Sequence, residues 1–426
     1  MVRNYLLFCF AMAALFVFAS PAAAQESAEL RMRAEQVMAM LRGEGDLDQM
    51  FNDPFLAQVP ATQLRAISQQ LTGQYGAPRA VRIEQQGPFR GIIHIETDRG
   101  LISMNLVLEP VPPHLISGLL VTNTQPSGDN LASVIDEIKG LPGQSAVAVA
   151  RLDDSGPILL ASHSPNRSLA IGSSFKLFIL AELSRQVQGG QREWSDVVTL
   201  NERSLPSGIL QNWPQGSPLT IHTLASLMIS ISDNTATDAL LELAGRENVE
   251  RMMTIIGVAA PERNRPFLGT AEVFALKTSS PADQAAFIAA NERERRRLLA
   301  SRYSAADTSD IDPAIFAGAP LQIEALEWFA SPADLVRTMD WFRRNGDEAA
   351  REILAISPGG APSMKQEYAY AGFKGGSEPG VINLTWLVRN QAGVWHVVTG
   401  AWNNPDSPVD DARFMGLMRR LLQLVR

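Results

Sequence analysis

The hydrophobic pattern changes period twice along the chain. "SAELRMRAEQVMAMLRGEG", Ser27 to Gly45, repeats apolar residues at helical spacing and stops at Gly43 and Gly45. Strand-like runs follow in "GIIHIET" and "LISMNLVLEP", joined by the turn signal Asp98-Arg99-Gly100, and "HLISGLLVTN" continues the series. A helical half followed by strands predicts a small α+β unit, residues 25–125, with helices on an antiparallel sheet. "TQPSGDN", Thr124 to Asn130, collects turn formers and marks a linker, drawn at 126–142. Next, "SAVAVARL" and "PILLAS" bracket Asp153-Asp154-Ser155-Gly156 as a hairpin, and helical segments run to about Gly346. Strands return in "GVINLTWLV" and "VWHVVTGAW" before the amphipathic helix "VDDARFMGLMRRLLQLV". Strands at both ends with helices between predict a second α+β domain, 143–426, whose sheet is assembled from its two termini.

Residues 1–24 fit neither pattern. Arg3, the apolar run Tyr5 to Ala19 and Ala22-Ala23-Ala24 form the three parts of a secretory signal peptide cleaved after Ala24. The run is short of the ~20 residues that span a bilayer, and no integral membrane segment is expected after cleavage. The protein is therefore expected to be exported, periplasmic or extracellular. Cleavage removes Cys9, the one cysteine, so neither disulfides nor a cysteine-ligated metal are expected. The five histidines share no ligand spacing, and no metal or cofactor is expected. With 45 acidic against 37 basic residues and no aromatic-backed basic cluster, nucleic acid is excluded as a partner. "NERERRRLLASRY" reads as a solvated helix face, and Trp213 and Trp328 read as packing residues.

One apolar run carries chemistry. "LAIGSSFKLFILAEL", Leu169 to Leu183, sets Ser173 and Lys176 three residues apart, on one face of a helix beginning near Ser173. A serine hydroxyl needs a base, and a lysine buried among Phe175, Leu177 and Phe178 loses hydration and therefore basicity, so it can accept the proton. Taken alone, the same residues also suit a helix cap with a lysine that snorkels to solvent. Two further fragments decide between these readings. Ser232-Asp233-Asn234 lies between two apolar helical runs, and Lys374-Gly375-Gly376 heads a strand, where glycines allow close backbone approach. Three such fragments, in this order and context, point to a serine acyl-transfer site.

From about Gly143 the chain resembles the class A β-lactamases and other penicillin-recognising serine hydrolases, with "SSFKLF", "SDNTATDALL" and "ASPADLVRTM" as landmarks. The resemblance implies a transpeptidase-like fold, with a helical part beside helices on an antiparallel sheet. It implies Ser173 as acylated nucleophile, Lys176 as its proton acceptor and Ser232 as relay to the leaving group. Asn234 would hold a substrate amide and Lys374 would attract a substrate carboxylate. The N–H groups of Ser173 and Ser377 would form the oxyanion hole, beside Gly376. The whole chain is similar to the hybrid proteins of clavulanate biosynthesis clusters and related mycobacterial lipoproteins, whose first domain is of the nuclear-transport-factor, or steroid-isomerase-like, kind. "FNDPFLAQVP", "RNRPFLGTAEVFALK" and "FKGGSEPGV" carry that likeness. The first unit shows no acid–tyrosine pair and reads as an accessory module.

Two departures stand out. Gly375 replaces the hydroxyl residue of the third motif, for which Ser377 is a partial substitute. The region after the second motif has no Glu-x-x-x-Asn to position a deacylating water; Glu272 is its nearest acid, and it equally suits a first-turn acid after Thr270 as cap. Slow or absent penicillin turnover and better hydrolysis of small activated esters or thioesters are expected. The alternatives are a penicillin-binding sensor without turnover and a D-alanyl-D-alanine-type cell-wall peptidase. The substrate is thus a small β-lactam or ester, or a peptidoglycan-like peptide.

Overall fold

The computed structural model describes residues 27–201, 203–303, 311, 316, 318–359 and 364–426. The signal-peptide reading falls outside these residues. The chain divides into two compact units at Ser127/Gly128.

The first unit begins with α1 (Ala28–Leu41), α2 (Leu47–Met50), α3 (Asp53–Gln58) and α4 (Ala61–Tyr75). The strands β1 (Pro78–Gly87), β2 (Arg90–Thr97), β3 (Gly100–Leu108) and β4 (Ile116–Pro126) form an antiparallel meander in sequence order. Ile93, Ile95, Ile102, Met104 and Leu106 line its buried face against Leu30, Ala34 and Val37 of α1. β1 has no counterpart among the expected strands. It is an edge strand whose charged and polar residues stay exposed, which hides the alternation.

The second unit opens with α5 (Leu131–Lys139), inside the stretch expected to be linker. Asn130 and Ser133 cap it reciprocally, and Val134, Ile135 and Ile138 are buried. Its apolar positions recur at helical spacing, a signal that the neighbouring turn residues mask. Then come β5 (Gln144–Asp153), β6 (Gly156–His163), the short β7 (Leu169–Ala170) and α6 (Lys176–Gln188). The helical part continues through β8 (Val197–Thr199), β9 (Pro218–Thr220), α7 (Ile221–Ser230), α8 (Asn234–Ala244) and α9 (Arg246–Ile256). Next are α10 (Thr270–Thr278), α11 (Pro281–Ala289), α12 (Glu292–Leu298), β10 (Phe329–Ala330), α13 (Pro332–Asn345), α14 (Glu348–Ala355) and α15 (Met364–Glu367). β11 (Tyr370–Glu378), β12 (Val381–Arg389), β13 (Trp395–Asn403) and α16 (Asp411–Gln423) end the chain.

The sheet order is β11-β12-β13-β5-β6, antiparallel throughout, so the early and late strands join where β13 pairs with β5. This is the sheet expected from strands at both termini. Alternation along β5 sends Ala148, Ala150 and Leu152 toward the helical core and Val147 and Val149 toward α5 and α16. Arg420 of α16 ties that outer layer together, donating to Asp129 and Glu137. On the other face α6 is the central helix, with Leu177, Phe178, Ile179, Leu180 and Leu183 all enclosed.

Candidate active site

The nucleophile candidate sits on a turn fixed from both sides. β7 pairs with β10, Gly172 takes φ +45°, and a 3₁₀ turn, Gly172–Phe175, leads into α6. The first turn is therefore 3₁₀, and the α-helix begins at Lys176 rather than Ser173. Phe175 stacks on Trp328 with ring centroids 3.7 Å apart, and the Trp328 indole N–H donates to the Leu268 carbonyl. This buried stack anchors the turn from behind. Ser174 is fully buried with its hydroxyl toward the Lys374 carbonyl, 3.4 Å away, whereas Ser173 keeps solvent access.

Lys176 is 0% exposed. Its Nζ lies 3.2 Å from Ser173 Oγ, 3.0 Å from Ser232 Oγ, 2.7 Å from the Ser232 carbonyl and 2.7 Å from Asn234 Oδ1. The last two partners can only accept. Two N–H bonds therefore go to them, and a neutral amine keeps its one lone pair for one of the two hydroxyls. Burial, and then the neighbouring Lys374 charge, hold the Lys176 pKa well below 10.5, with Asp238 and Asp233 opposing. The neutral form that geometry calls for is the one burial favours.

Ser232, Asp233 and Asn234 occupy the loop between α7 and α8. Ser232 has φ +59°, a left-handed conformation uncommon for serine. Asp233 holds it there by capping α8 at Ala236 N–H and accepting the N–H groups of Ile209 and Leu210. Asn234 is committed inside the protein: Oδ1 accepts from Lys176 and Nδ2 donates to the Leu205 carbonyl at 3.1 Å. It positions Lys176, and Nδ2 carries a second N–H beyond the one given to Leu205.

β11 supplies the third part. Lys374 is 3% exposed, and its Nζ donates to Ser232 Oγ at 3.1 Å and to the Gly375 carbonyl at 2.6 Å. Ser232 Oγ thus bridges the two lysines. Burial pushes the Lys374 pKa down to about 7 from 10.5. The folding penalty of that shift is complete below pH 7 and fades as pH rises toward 10.5, since the unfolded chain binds the extra proton in that interval.

A Cβ on Gly376 would overlap the Ile171 carbonyl oxygen and the Ser173 nitrogen. Only glycine permits β11 to lie this close to the nucleophile turn. Ser377, offered as a substitute hydroxyl, is three residues from Lys374 and so projects to the opposite face, where Asp411 of α16 accepts its hydrogen bond. That is the face of Gly375, where the motif's hydroxyl is missing; the Ser377 hydroxyl there is engaged by Asp411, while its backbone N–H stays beside the turn.

Glu272 is bonded elsewhere. Its oxygens receive the Arg246 guanidinium at 2.7 and 2.9 Å and the Gly269 N–H at 2.7 Å. Gly269, not Thr270, is the cap residue of α10. Glu272→Gln is expected to leave deacylation unchanged and to lower stability by about 1–3 kcal/mol through the charged hydrogen bonds it loses. Denaturant unfolding and the decay of an acyl adduct test both halves. The N-terminus of α10 is instead closed by Asp238, which accepts from Thr270 N–H, Thr270 Oγ1 and Ala271 N–H. Burial raises the Asp238 carboxyl pKa against those hydrogen bonds. Its signal in sequence is its place one turn after Asn234, on the face that meets the site.

Among the described residues no group of three or more histidine, cysteine or acidic side chains is placed to hold a metal, and no helix is long and apolar enough to cross a membrane. A family model described as the β-lactamase enzyme family matches residues 129–303, which carry the first two motifs. A comparison with curated proteins returns no match. Similar solved structures include a β-lactamase from Sphaerobacter thermophilus at 20% identity, covering 69% of this chain and 94% of that one with a TM-score of 0.47. Another is a β-lactamase from Chitinophaga pinensis at 18% identity, covering 70% and 100% with a TM-score of 0.47. A protein described as PBP-A is similar at 16% identity, covering 69% and 93% with a TM-score of 0.47.

Proposed function

We propose that residues 143–426 form an exported serine hydrolase that passes through an acyl-enzyme on Ser173. The carrying observation is Lys176, enclosed and bonded to two acceptor-only oxygens, with Ser173 Oγ as a remaining partner. Ser173 Oγ bonds to the carbonyl carbon of an ester or β-lactam as its proton passes to Lys176 Nζ. The N–H groups of Ser173 and Ser377 receive the developing oxyanion. As the bond to the leaving oxygen or nitrogen breaks, that atom takes a proton from Ser232 Oγ, which Lys176 replenishes. Residues 25–125 act as a nuclear-transport-factor-like accessory module, and residues 1–24 direct export.

A second reading, a penicillin-binding sensor, is favoured by one observation: Glu272, the nearest acid in the loop after the second motif, is bound to Arg246. Timed mass spectrometry with a fluorescent penicillin and a chromogenic ester separates the readings. The hydrolase reading expects a Ser173 adduct that decays over minutes to hours, and the sensor reading expects one that persists. Absence of any adduct, or labelling that survives Ser173→Ala, overturns both. Penicillin turnover at the rates of resistance enzymes overturns the expected weak deacylation.

A further inference from the structure

Ser232 Oγ has to meet the leaving atom, yet its residue sits at φ +59°, a conformation that serine rarely takes. Such a residue stays in place only where its surroundings over-determine it. Here the surroundings include a second loop, residues 205–210, which grips the loop between α7 and α8 one residue after another. Ser207 Oγ donates to the Ser232 carbonyl at 2.8 Å. Ile209 and Leu210 give their N–H groups to Asp233 at 2.7 and 2.9 Å. The Ser207 carbonyl receives the Asn234 N–H at 3.0 Å, and the Leu205 carbonyl receives Asn234 Nδ2 at 3.1 Å.

Of these contacts only the Ser207 hydroxyl reaches Ser232 itself. A carbonyl oxygen has two lone pairs, and Lys176 Nζ, at 2.7 Å, takes the other one. The peptide plane after Ser232 is thus held by two donors from two separate elements. Holding that plane fixes the Cα–Cβ direction of a residue with a strained φ, and with it the hydroxyl that bridges Lys176 and Lys374. We propose that Ser207 is a positioning residue for the proton relay: by fixing the Ser232 carbonyl it aims Ser232 Oγ at the leaving atom. The proposal rests on the acyl-enzyme reading above.

The contribution of Ser207 then depends on the leaving group. When the bond from the carbonyl carbon to an alkoxide breaks, that oxygen takes the Ser232 Oγ proton, and Lys176 Nζ returns to Ser232 the proton it received from Ser173. A p-nitrophenolate leaves as a stable anion and needs no proton. p-Nitrobenzyl acetate and p-nitrophenyl acetate differ by one methylene and give the same acetyl-enzyme, so a fault in the relay slows the first and spares the second. A general loosening of the site slows both.

The readout is the ratio of kcat/KM for p-nitrobenzyl acetate to that for p-nitrophenyl acetate. Ser207 is exposed, so its truncation opens no cavity. Ser207→Ala should lower the ratio at least about 10-fold, a part of the roughly 100-fold that a 1 Å misplacement costs. Ser207→Cys, similar in size and a weak donor, should fall between and serves if the alanine variant is unfolded by circular dichroism. Ser232→Ala should lower the ratio further, and adding Ser207→Ala to it should change nothing more, because the effect runs through Ser232. An unchanged ratio in a folded Ser207 variant, an equal fall for both esters, or a further fall in the double variant overturns the positioning role. A wild type that takes only the p-nitrophenyl ester, or a ratio that Ser232→Ala leaves alone, overturns it too by removing the relay. No Ser173-dependent reaction with either ester overturns the acyl-enzyme reading, and the positioning role with it.

Discussion

A Lys176→Met variant should lose about 10²–10⁴-fold in the rate of Ser173 labelling, the range typical of removing a positioned base. It should nevertheless remain folded. Methionine matches the volume and removes a desolvated amine that costs stability at neutral pH. It also leaves the Ser232 carbonyl and Asn234 Oδ1 without their common donor, at about 1–3 kcal/mol for each unmet group. These terms oppose each other, so the melting temperature should move far less than the reaction rate. The pH profile gives the sharper signature. Acidification protonates Lys176 and closes its lone pair, so wild-type labelling should rise with pH through the depressed lysine pKa. The variant should lack that limb. Labelling that keeps its rate and its pH limb in a folded variant would remove Lys176 from the role of base.

The second large effect is expected at Gly376→Ala. The added methyl meets backbone atoms of Ile171 and Ser173, which belong to a turn fastened by the β7–β10 pair and the Phe175–Trp328 stack. No flexible side chain is available to yield. Either β11 moves away from the turn or the turn moves off its support, and a displacement of about 1 Å at a reacting centre costs on the order of 100-fold in rate. Labelling should fall by at least that factor, with a clear drop in melting temperature. Gly375→Ala is the matched comparison, because the Cβ of residue 375 meets the far end of the Phe373 side chain at 2.8 Å and backbone only at 3.3 Å. Equal effects at the two glycines would mean that the close approach at Gly376 is unimportant to the chemistry.

Much of the framework is legible in the sequence because its signals are local. Helical and strand periods, the hairpin at Asp153 to Gly156 and the return of strands before the last helix are all short-range patterns. They are enough to predict one sheet built from both ends of the second domain. Ser173 and Lys176 are legible for the same reason, being three residues apart. What escapes depends on contacts across long separations. Lys277 and Glu378 are 101 residues apart, and Thr270 meets Asp238 across 32, with nothing in either neighbourhood to announce the partner. The partner of the Ser377 hydroxyl, Asp411, lies on a distant helix and is equally silent in the sequence. α5 hides in the expected linker because its capping residues resemble the turn formers that precede it.

The pairing of β13 with β5 has a consequence for when the protein becomes reactive. Val397 lies opposite Ala150, so the sheet cannot close, and Lys374 cannot be brought to Ser232, until nearly the whole chain has been made and a loop of about 250 residues has closed. Contacts of such separation form late and slowly. Before then Ser232 lacks Lys374 as a partner, and β11 does not lie against the turn that carries Ser173. The site is therefore complete only once that sheet has closed, so labelling of Ser173 is expected to appear only after the nearly full-length chain has folded.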